Sequence, residues 1–190
     1  THSQGRRGVA ATVAVEKIVG AAAERGETLA ALQKLGERVN AASGTMGVAL
    51  TSCIVPEAGK PTFEIAMDEI EIGVGIHGEP GRRRESHRPA DAIVDELFEA
   101  IVKDIDAGSG DHLLVIVNGM GGTPLLELYL MFDALVRRCD KAGLTIARSL
   151  VGNYCTSLEM QGCSITMTKL DEEMTVLWDE PVRTAALHWG

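Results

Sequence analysis

The chain has 190 residues, of which 45% are hydrophobic and 24% are charged, a composition typical of a globular protein. Its formal net charge is −9 and it has no basic block, so neither a nucleic acid nor an anionic membrane surface is expected as a partner. Three Phe, two Trp and two Tyr are too few for a base-stacking platform. No apolar run approaches the ~18 residues of a membrane span.

The cysteines and the start of the chain indicate the compartment. No C-x-x-C pair occurs, so free thiols in a reducing cytoplasm are expected for Cys53, Cys139, Cys155 and Cys163. The polar start at Thr1 has no initiator Met and does not resemble a signal peptide. We therefore expect a cytoplasmic protein from which a preceding segment is missing.

Two helices and a strand are predicted for the first third of the chain. Residues 8–25 are rich in Ala and Val and end at a glycine, which indicates a helix. Leucines at helical spacing predict a second helix over 29–43. The apolar, β-branched residues 46–55, closed by Pro56, then predict a strand.

The stretch 70–77 predicts a strand with two unlike faces. Ile70, Ile72, Val74 and Ile76 alternate with Glu71, Gly73, Gly75 and His77. Alternate residues of a strand point to opposite sides, so one face would be aliphatic and the other almost bare in front of the histidine. Glycines on one face mark a bulge or a place where another group approaches closely. His77 is therefore the first candidate for a binding or catalytic group, and a solvated turn histidine is the alternative.

The second half alternates helices and strands. An apolar residue at every fourth position predicts a helix over 93–105, and a second helix is expected from an N-capping Thr123 and Pro124 to about Lys141. Strands are predicted over 113–117, 144–151, 164–169 and 174–178, with residues 171–173 as a hairpin turn. The fold class is α/β, with a mixed β-sheet flanked by helices.

Other chemical motifs are incomplete. The Gly-rich turn 118–123 lacks the P-loop lysine and does not fit G-x-G-x-x-G, so it predicts a plain turn and no nucleotide site. The H-x-E run at 77–79 lacks the P-C-x-x-C partner of zinc deaminases, and no metal site is expected. Solvated positions are expected for the other histidines, His2, His87, His112 and His188.

Several segments resemble the dihydroxyacetone kinase family. The most specific is Gly-Val-Gly-Ile-His-Gly-Glu-Pro-Gly at 73–81, which resembles the substrate-histidine motif of that family. The others are 5–12, 123–129, 154–158 and the end of the chain at 177–190. The resemblance covers essentially the whole chain and is to the C-terminal part of the substrate-binding subunit.

The resemblance implies a role for one histidine. In that family a histidine attacks the ketone carbonyl of dihydroxyacetone and holds the substrate as a hemiaminal while one hydroxyl is phosphorylated. Only His77 matches the motif, so it is the expected catalytic and substrate-binding residue, with Gly75 and Gly78 leaving room for the polyol. Covalent capture would supply affinity that a small polar ketose cannot gain by burial. His77 would be an anchor that distinguishes ketones from glycerol, and would not be the general base.

The resemblance also implies which parts this chain lacks. Family members carry a preceding segment that completes the ketose pocket and supplies the acid/base groups. ADP or ATP with magnesium is held by a separate subunit or domain, so this chain would bind no cofactor itself. We therefore expect residues 1–44 to complete an N-terminal domain that is largely absent and 45–190 to form the ketose-anchoring α/β domain. The chain alone would be inactive, and a homodimer is expected.

Three questions stay open. The chain could belong to a separate kinase subunit charged by a phosphotransferase relay, which we favour, or to a fused ATP-dependent kinase. A non-catalytic, ketose-binding transcriptional co-regulator would keep the same anchor. A kinase for a longer ketose such as erythrulose would also fit, because absent residues would set the length of the pocket.

Overall fold

The structure is a computed structural model and describes residues 7–57, 59–77 and 81–190. Within these residues the helices are α1 (Ala11–Glu24), α2 (Leu29–Ala42), α3 (Ala90–Ile105), α4 (Leu125–Ala142) and α5 (Glu172–Asp179). The strands are β1 (Ser43–Ala49), β2 (Glu69–Ile72), β3 (Arg83–Ser86), β4 (His112–Gly119), β5 (Thr145–Gly152), β6 (Gly162–Lys169), β7 (Val182–Arg183) and β8 (His188–Trp189). No helix in this part of the chain is long and apolar enough to cross a membrane.

Six strands form one mixed sheet in the order β3-β2-β1-β6-β4-β5, and β7 pairs with β8 separately. Only β4 and β5 run parallel, and α4 connects them, as a parallel pair requires a crossover. The remaining neighbours are antiparallel. The predicted α/β fold with a mixed sheet flanked by helices is confirmed.

Helices cover both faces of this sheet. On β4, the side chains of Leu113, Val115 and Val117 join the core formed with α3 and α4. The alternate residues Leu114 and Ile116 join the core formed with α1, α2 and α5. All five side chains are fully buried, which explains why β4 is a continuous apolar run rather than an alternating one.

The helical predictions for α3 and α4 are confirmed with one correction. The four-residue repeat of α3 is buried, and Gly143 ends α4 in the left-handed region at φ 71°. Thr123, however, does not cap α4, because Pro124 occupies the N-cap position and no side chain caps the helix. The hydroxyl of Thr123 instead donates to the carbonyl of Gly162 and accepts from its N–H, both at 2.7 Å. Thr123 thus joins the start of α4 to β6.

The predicted strand over 174–178 and the hairpin turn before it are wrong. Residues 172–179 form α5, because the Asp171 carboxylate accepts a hydrogen bond from Met174 N at 2.8 Å and acts as the N-cap. Met174, Leu177 and Trp178 then share one face at helical spacing and pack into the core. A run of five residues, four of them apolar, is too short to separate a strand from a helix by pattern alone.

Two other strands are shorter than predicted or shifted. The pairing of β1 begins at Ser43 and ends at Ala49, so the predicted strand 46–55 is displaced toward the N-terminus. The predicted strand 70–77 ends at Ile72, because Gly73 adopts φ 84° and turns the chain out of the ladder. His77 therefore lies in a loop between β2 and β3, and not at the end of a strand.

All four cysteines are free. Burial raises the pKa of the Cys163 thiol to about 12 and that of Cys139 to about 11. Neither thiol is a nucleophile near neutral pH, because the thiolate is the reactive form.

The cap of α5 can be tested with a matched pair of variants. Asp171→Ala is expected to lower the unfolding free energy by about 1 kcal/mol, and the melting temperature by about 2–4 °C for a chain of this size. Glu173→Ala is the control, since both carboxylates pair with the exposed Arg38 but only Asp171 caps the helix. The control should change stability by less than about 0.5 kcal/mol. Equal losses in thermal denaturation would show that the ion pair, and not the cap, stabilises α5.

Candidate functional site

His77 lies in the loop between β2 and β3 and is exposed to solvent. It lines a pocket of about 410 Å³ together with Gly75, Ile76 and the start of the chain at Arg7, Gly8, Val9 and Thr12. That volume falls within the usual range for small-molecule sites. Two segments far apart in the sequence therefore meet at one pocket, and both belong to motifs singled out from the sequence.

The start of α1 is fixed over the sheet beside His77. The hydroxyl of Thr45 in β1 donates to the carbonyl of Gly8 at 2.9 Å, and it also contacts the hydroxyl of Thr166 at 2.8 Å. Val9 has φ 40°, a strained conformation for a β-branched residue. Such strain persists only where the surrounding structure enforces it, and it is typical of functional sites.

The loop that carries His77 is fixed at its first residue. Gly73 N donates to the carbonyl of Gly47 in β1 at 2.7 Å, and Arg7 Nε donates to the carbonyl of Gly73 at 3.1 Å. A Cβ on Gly73 would lie 2.8 Å from Arg82 Cγ, and one on Gly47 would lie 2.8 Å from the carbonyl of Val74. These glycines permit a close approach between the loop and β1. A close approach is one of the two explanations that the sequence offers for the glycines at 73 and 75, the other being a bulge.

The loop is fixed near its end, at Gly81, by a buried carboxylate. Glu71 in β2 has 4% of its surface exposed. Its Oε1 accepts a hydrogen bond from Gly81 N, and its Oε2 accepts one from Arg84 Nε, both at 2.9 Å. The sequence pattern places Glu71 on the bare face and predicts no role for it. The sequence feature that could have indicated a role for Glu71 is its position between Ile70 and Ile72, where a carboxylate becomes buried and needs partners.

Two of the three predicted site residues can be located. His77 and Gly75 line the same pocket, whereas Gly78 lies outside the described residues, as do 1–6 and 79–80. Thr12 adds a hydroxyl that can exchange hydrogen bonds with a polyol. Among the described residues, no three His, Cys, Asp or Glu side chains are grouped closely enough to hold a metal ion.

The Gly-rich turn 118–123 packs against the segment 154–160. A Cβ on Gly121 would lie 1.8 Å from the carbonyl of Leu158, and Gly122 N donates to the carbonyl of Met160 at 2.9 Å. The glycines therefore serve backbone packing, as the prediction of a plain turn requires. Asn118, for which the sequence predicts no role, accepts from the N–H groups of Tyr154 and Cys155 and fixes that segment to β4.

This turn also supports the His77 loop. Met120 and Met160 are fully buried in a cluster that contains Val74 of the loop and Ala49 of β1. Residues on either side of the turn thus pack against the His77 loop without lining its pocket. Fold and site together define an α/β domain that presents a histidine at a small pocket on a braced loop.

The comparisons with known proteins identify the family. Residues 1–186 match the sequence model described as the Dak1 domain, and the chain belongs to this family. The chain is 47% identical over 213 residues to the dihydroxyacetone-binding subunit DhaK of the PEP-dependent dihydroxyacetone kinase of Escherichia coli strain K12. That alignment covers 100% of this chain and 60% of the relative, so the chain spans about three fifths of that protein.

Two solved structures share the fold. The dihydroxyacetone kinase operon co-activator Dha-DhaQ has a TM-score of 0.87 and 32% identity, covering 95% of this chain and 57% of that one. The dihydroxyacetone kinase from C. freundii in complex with AMP-PNP and Mg²⁺ has a TM-score of 0.73 and 28% identity. That match covers 91% of this chain and 31% of the kinase.

The requirement for glycine at the start of the loop can be tested directly. Gly73→Ala is expected to destabilise the chain by about 1–2 kcal/mol, because the left-handed conformation is strained for any residue with a Cβ. The control is Gly20→Ala in α1, where a Cβ meets nothing within 4 Å. That change should stabilise the chain by about 0.5–1 kcal/mol. Chemical denaturation measures both, and a Gly73→Ala variant as stable as the parent chain would contradict the assigned geometry.

Proposed function

We propose that this chain is the substrate-binding part of a dihydroxyacetone kinase subunit, in which His77 holds the ketose covalently. The observation that carries the proposal is the position of His77, exposed at a small pocket on a loop fixed at both ends. A loop that is fixed at both ends can hold the imidazole in position for a ligand too small to make many contacts. The proposal is supported by the 47% identity to a dihydroxyacetone-binding subunit over the whole chain.

The chemistry assigned to His77 is a reversible addition to the ketone. The ring nitrogen that carries no hydrogen donates its lone pair to the carbonyl carbon and forms a C–N bond. The carbonyl π electrons pass to the oxygen, which takes up a proton while the other ring nitrogen releases one. The product is a neutral hemiaminal with the same atoms as the two reactants. Glycerol has no carbonyl carbon and cannot form this bond.

The pocket suits a short polyol better than an apolar ligand. A triose offers little apolar area, so burial alone contributes little binding free energy. The Thr12 hydroxyl and the backbone at Gly8 and Gly75 supply polar contacts around His77. The covalent bond then provides the orientation that one hydroxyl needs for transfer of a phosphoryl group.

The same proposal assigns the nucleotide to another polypeptide or domain. The space beside Gly121 and Gly122 in the 118–123 turn is occupied by the chain's own backbone, which leaves no room for a phosphate there. We propose that ADP or ATP with magnesium is bound by a partner subunit, and that the working assembly is a cytoplasmic homodimer with this partner. The match of this chain to 31% of a C. freundii kinase described with AMP-PNP and Mg²⁺ supports a separate nucleotide-binding region. Residues 1–44 would join this domain to the acid/base groups, without which the chain is expected to be inactive.

A second candidate function has one observation in its favour. The co-activator Dha-DhaQ shares the fold at a TM-score of 0.87, so a ketose-binding co-regulator could be built on the same domain. The 47% identity to a kinase subunit over the whole chain favours the kinase. A kinase for a longer ketose such as erythrulose keeps the same anchor, and parallel titrations with both ketoses distinguish the substrates.

The anchor is tested by His77→Ala. This variant should lose the adduct signal of [2-¹³C]dihydroxyacetone in NMR spectra, and calorimetry should show binding at least about tenfold weaker, or about 1.4 kcal/mol. Its unfolding free energy should change by less than about 0.5 kcal/mol, because His77 is exposed.

The control is His87→Ala, another exposed histidine that lines a separate cavity with Pro89 and Leu130. This variant should keep the adduct. Dihydroxyacetone binding of unchanged strength by His77→Ala would remove the proposed function.

A further inference from the structure

We infer that Glu71 is a positioning residue for His77, acting through the backbone of the loop and not through the ligand. The inference rests on the proposed function, since it assigns Glu71 a part in ketose capture. Glu71 is not among the residues that line the His77 pocket, so it is not placed to touch a substrate.

The register of the sheet puts Glu71 beneath the loop. In β2, Glu71 pairs with Ala49 of β1 on one side and with Arg84 of β3 on the other. Its neighbours Ile70 and Ile72 point into the core beside α3, so the carboxylate lies on the opposite face. The carbonyl of Gly47 accepts the hydrogen bond from Gly73 N at the start of the loop. Gly47 is two positions from Ala49 and lies on the same face as Ala49 and Glu71.

A carboxylate in this position is costly unless it is hydrogen-bonded. Glu71 is almost fully buried, and an unpaired buried carboxylate is strongly disfavoured. Arg84 Nε supplies a charged partner for Oε2, and Gly81 N supplies a backbone donor for Oε1. The length of the Glu71 side chain sets the position of Oε1 and therefore the place at which Gly81 N is held, near the end of the loop.

The backbone is closely packed where the chain enters β3. Arg82 N donates to the carbonyl of Ile72 at 2.7 Å, and a Cβ on Gly81 would lie 2.4 Å from the same carbonyl. Gly81 therefore passes directly over the end of β2, within reach of Glu71. Gly73 is thus held by Gly47 and Gly81 is held by Glu71, so the segment that begins and ends at these two residues is anchored to neighbouring strands at its described ends. The imidazole of His77 is carried by that segment.

The reach of the side chain and its charge can be separated by two substitutions in the full chain. Glu71→Gln keeps an acceptor oxygen at the same distance but removes the charge. Glu71→Asp keeps the charge but shortens the side chain by one bond, ~1.5 Å, so it cannot contact Gly81 and Arg84 as Glu71 does. Glu69→Ala is the control, because Glu69 also accepts a backbone N–H bond, from Ala66, in the same strand but away from Gly81.

The readout is the adduct formed with [2-¹³C]dihydroxyacetone, expressed per folded molecule, with the melting temperature measured in parallel. We expect Glu71→Gln and Glu69→Ala to bind within about threefold of the parent chain. Glu71→Asp is expected to weaken adduct formation by about 10–100-fold, since misplacement by about 1 Å has effects of that order. A role in stability alone would shift melting temperatures and leave the adduct per folded molecule unchanged.

Each outcome bears on one claim. Parental adduct formation by folded Glu71→Asp would overturn the inference and leave the proposed function standing. An adduct lost equally in Glu71→Gln and Glu71→Asp would also overturn it, because Glu71→Gln keeps the reach of the side chain and the loss of reach would then not explain the effect. The absence of an adduct in the parent chain would overturn the proposed function, and the inference with it.

Discussion

The site depends on the close backbone approach between the His77 loop and β1. Gly47 and Gly73 form a 2.7 Å hydrogen bond at a point where neither residue has space for a Cβ. The same strand, two residues earlier, holds the start of α1 through the hydroxyl of Thr45. One strand thus positions both walls of the pocket. Because β1 is itself paired along its whole length with β6, both walls of the pocket are attached to the central part of the sheet.

The features that fix the His77 loop destabilise the chain locally. Glycines lose more backbone entropy on folding than other residues, Val9 has a strained φ, and a buried carboxylate must be desolvated. These costs are offset by the rest of the domain, where α3 and α4 bury a continuous aliphatic face against the sheet. A stable scaffold can hold such a loop, since functional sites are where unfavourable local choices are tolerated.

The sequence predicts those features that depend on neighbouring residues. The four-residue repeat of α3, the Gly143 stop and the mixed sheet follow from local spacing, and the histidine motif indicates His77 and Gly75 as site residues. The strand predicted over 174–178 was wrong because a capping aspartate and a three-residue spacing decide for helix over a short apolar run. Glu71, Arg7 and Asn118 gained roles only from the structure. Their partners lie 10 or more positions away, as far as the 66 positions between Arg7 and Gly73, and helix or strand spacing does not report such contacts.

The two candidate functions require the same proposed step from this domain. A kinase subunit and a ketose-sensing co-regulator both need a small ketone held in one orientation, and a braced histidine provides that for either. A similar domain occurs in a co-activator and in a kinase, so the fold and the proposed capture chemistry do not by themselves determine what happens to a bound ketose. Phosphoryl transfer additionally requires proton transfer at the substrate hydroxyl and a bound nucleotide. In the proposed function this domain binds the ketose covalently. Whether the ketose is then phosphorylated or serves as a signal depends on groups outside this domain.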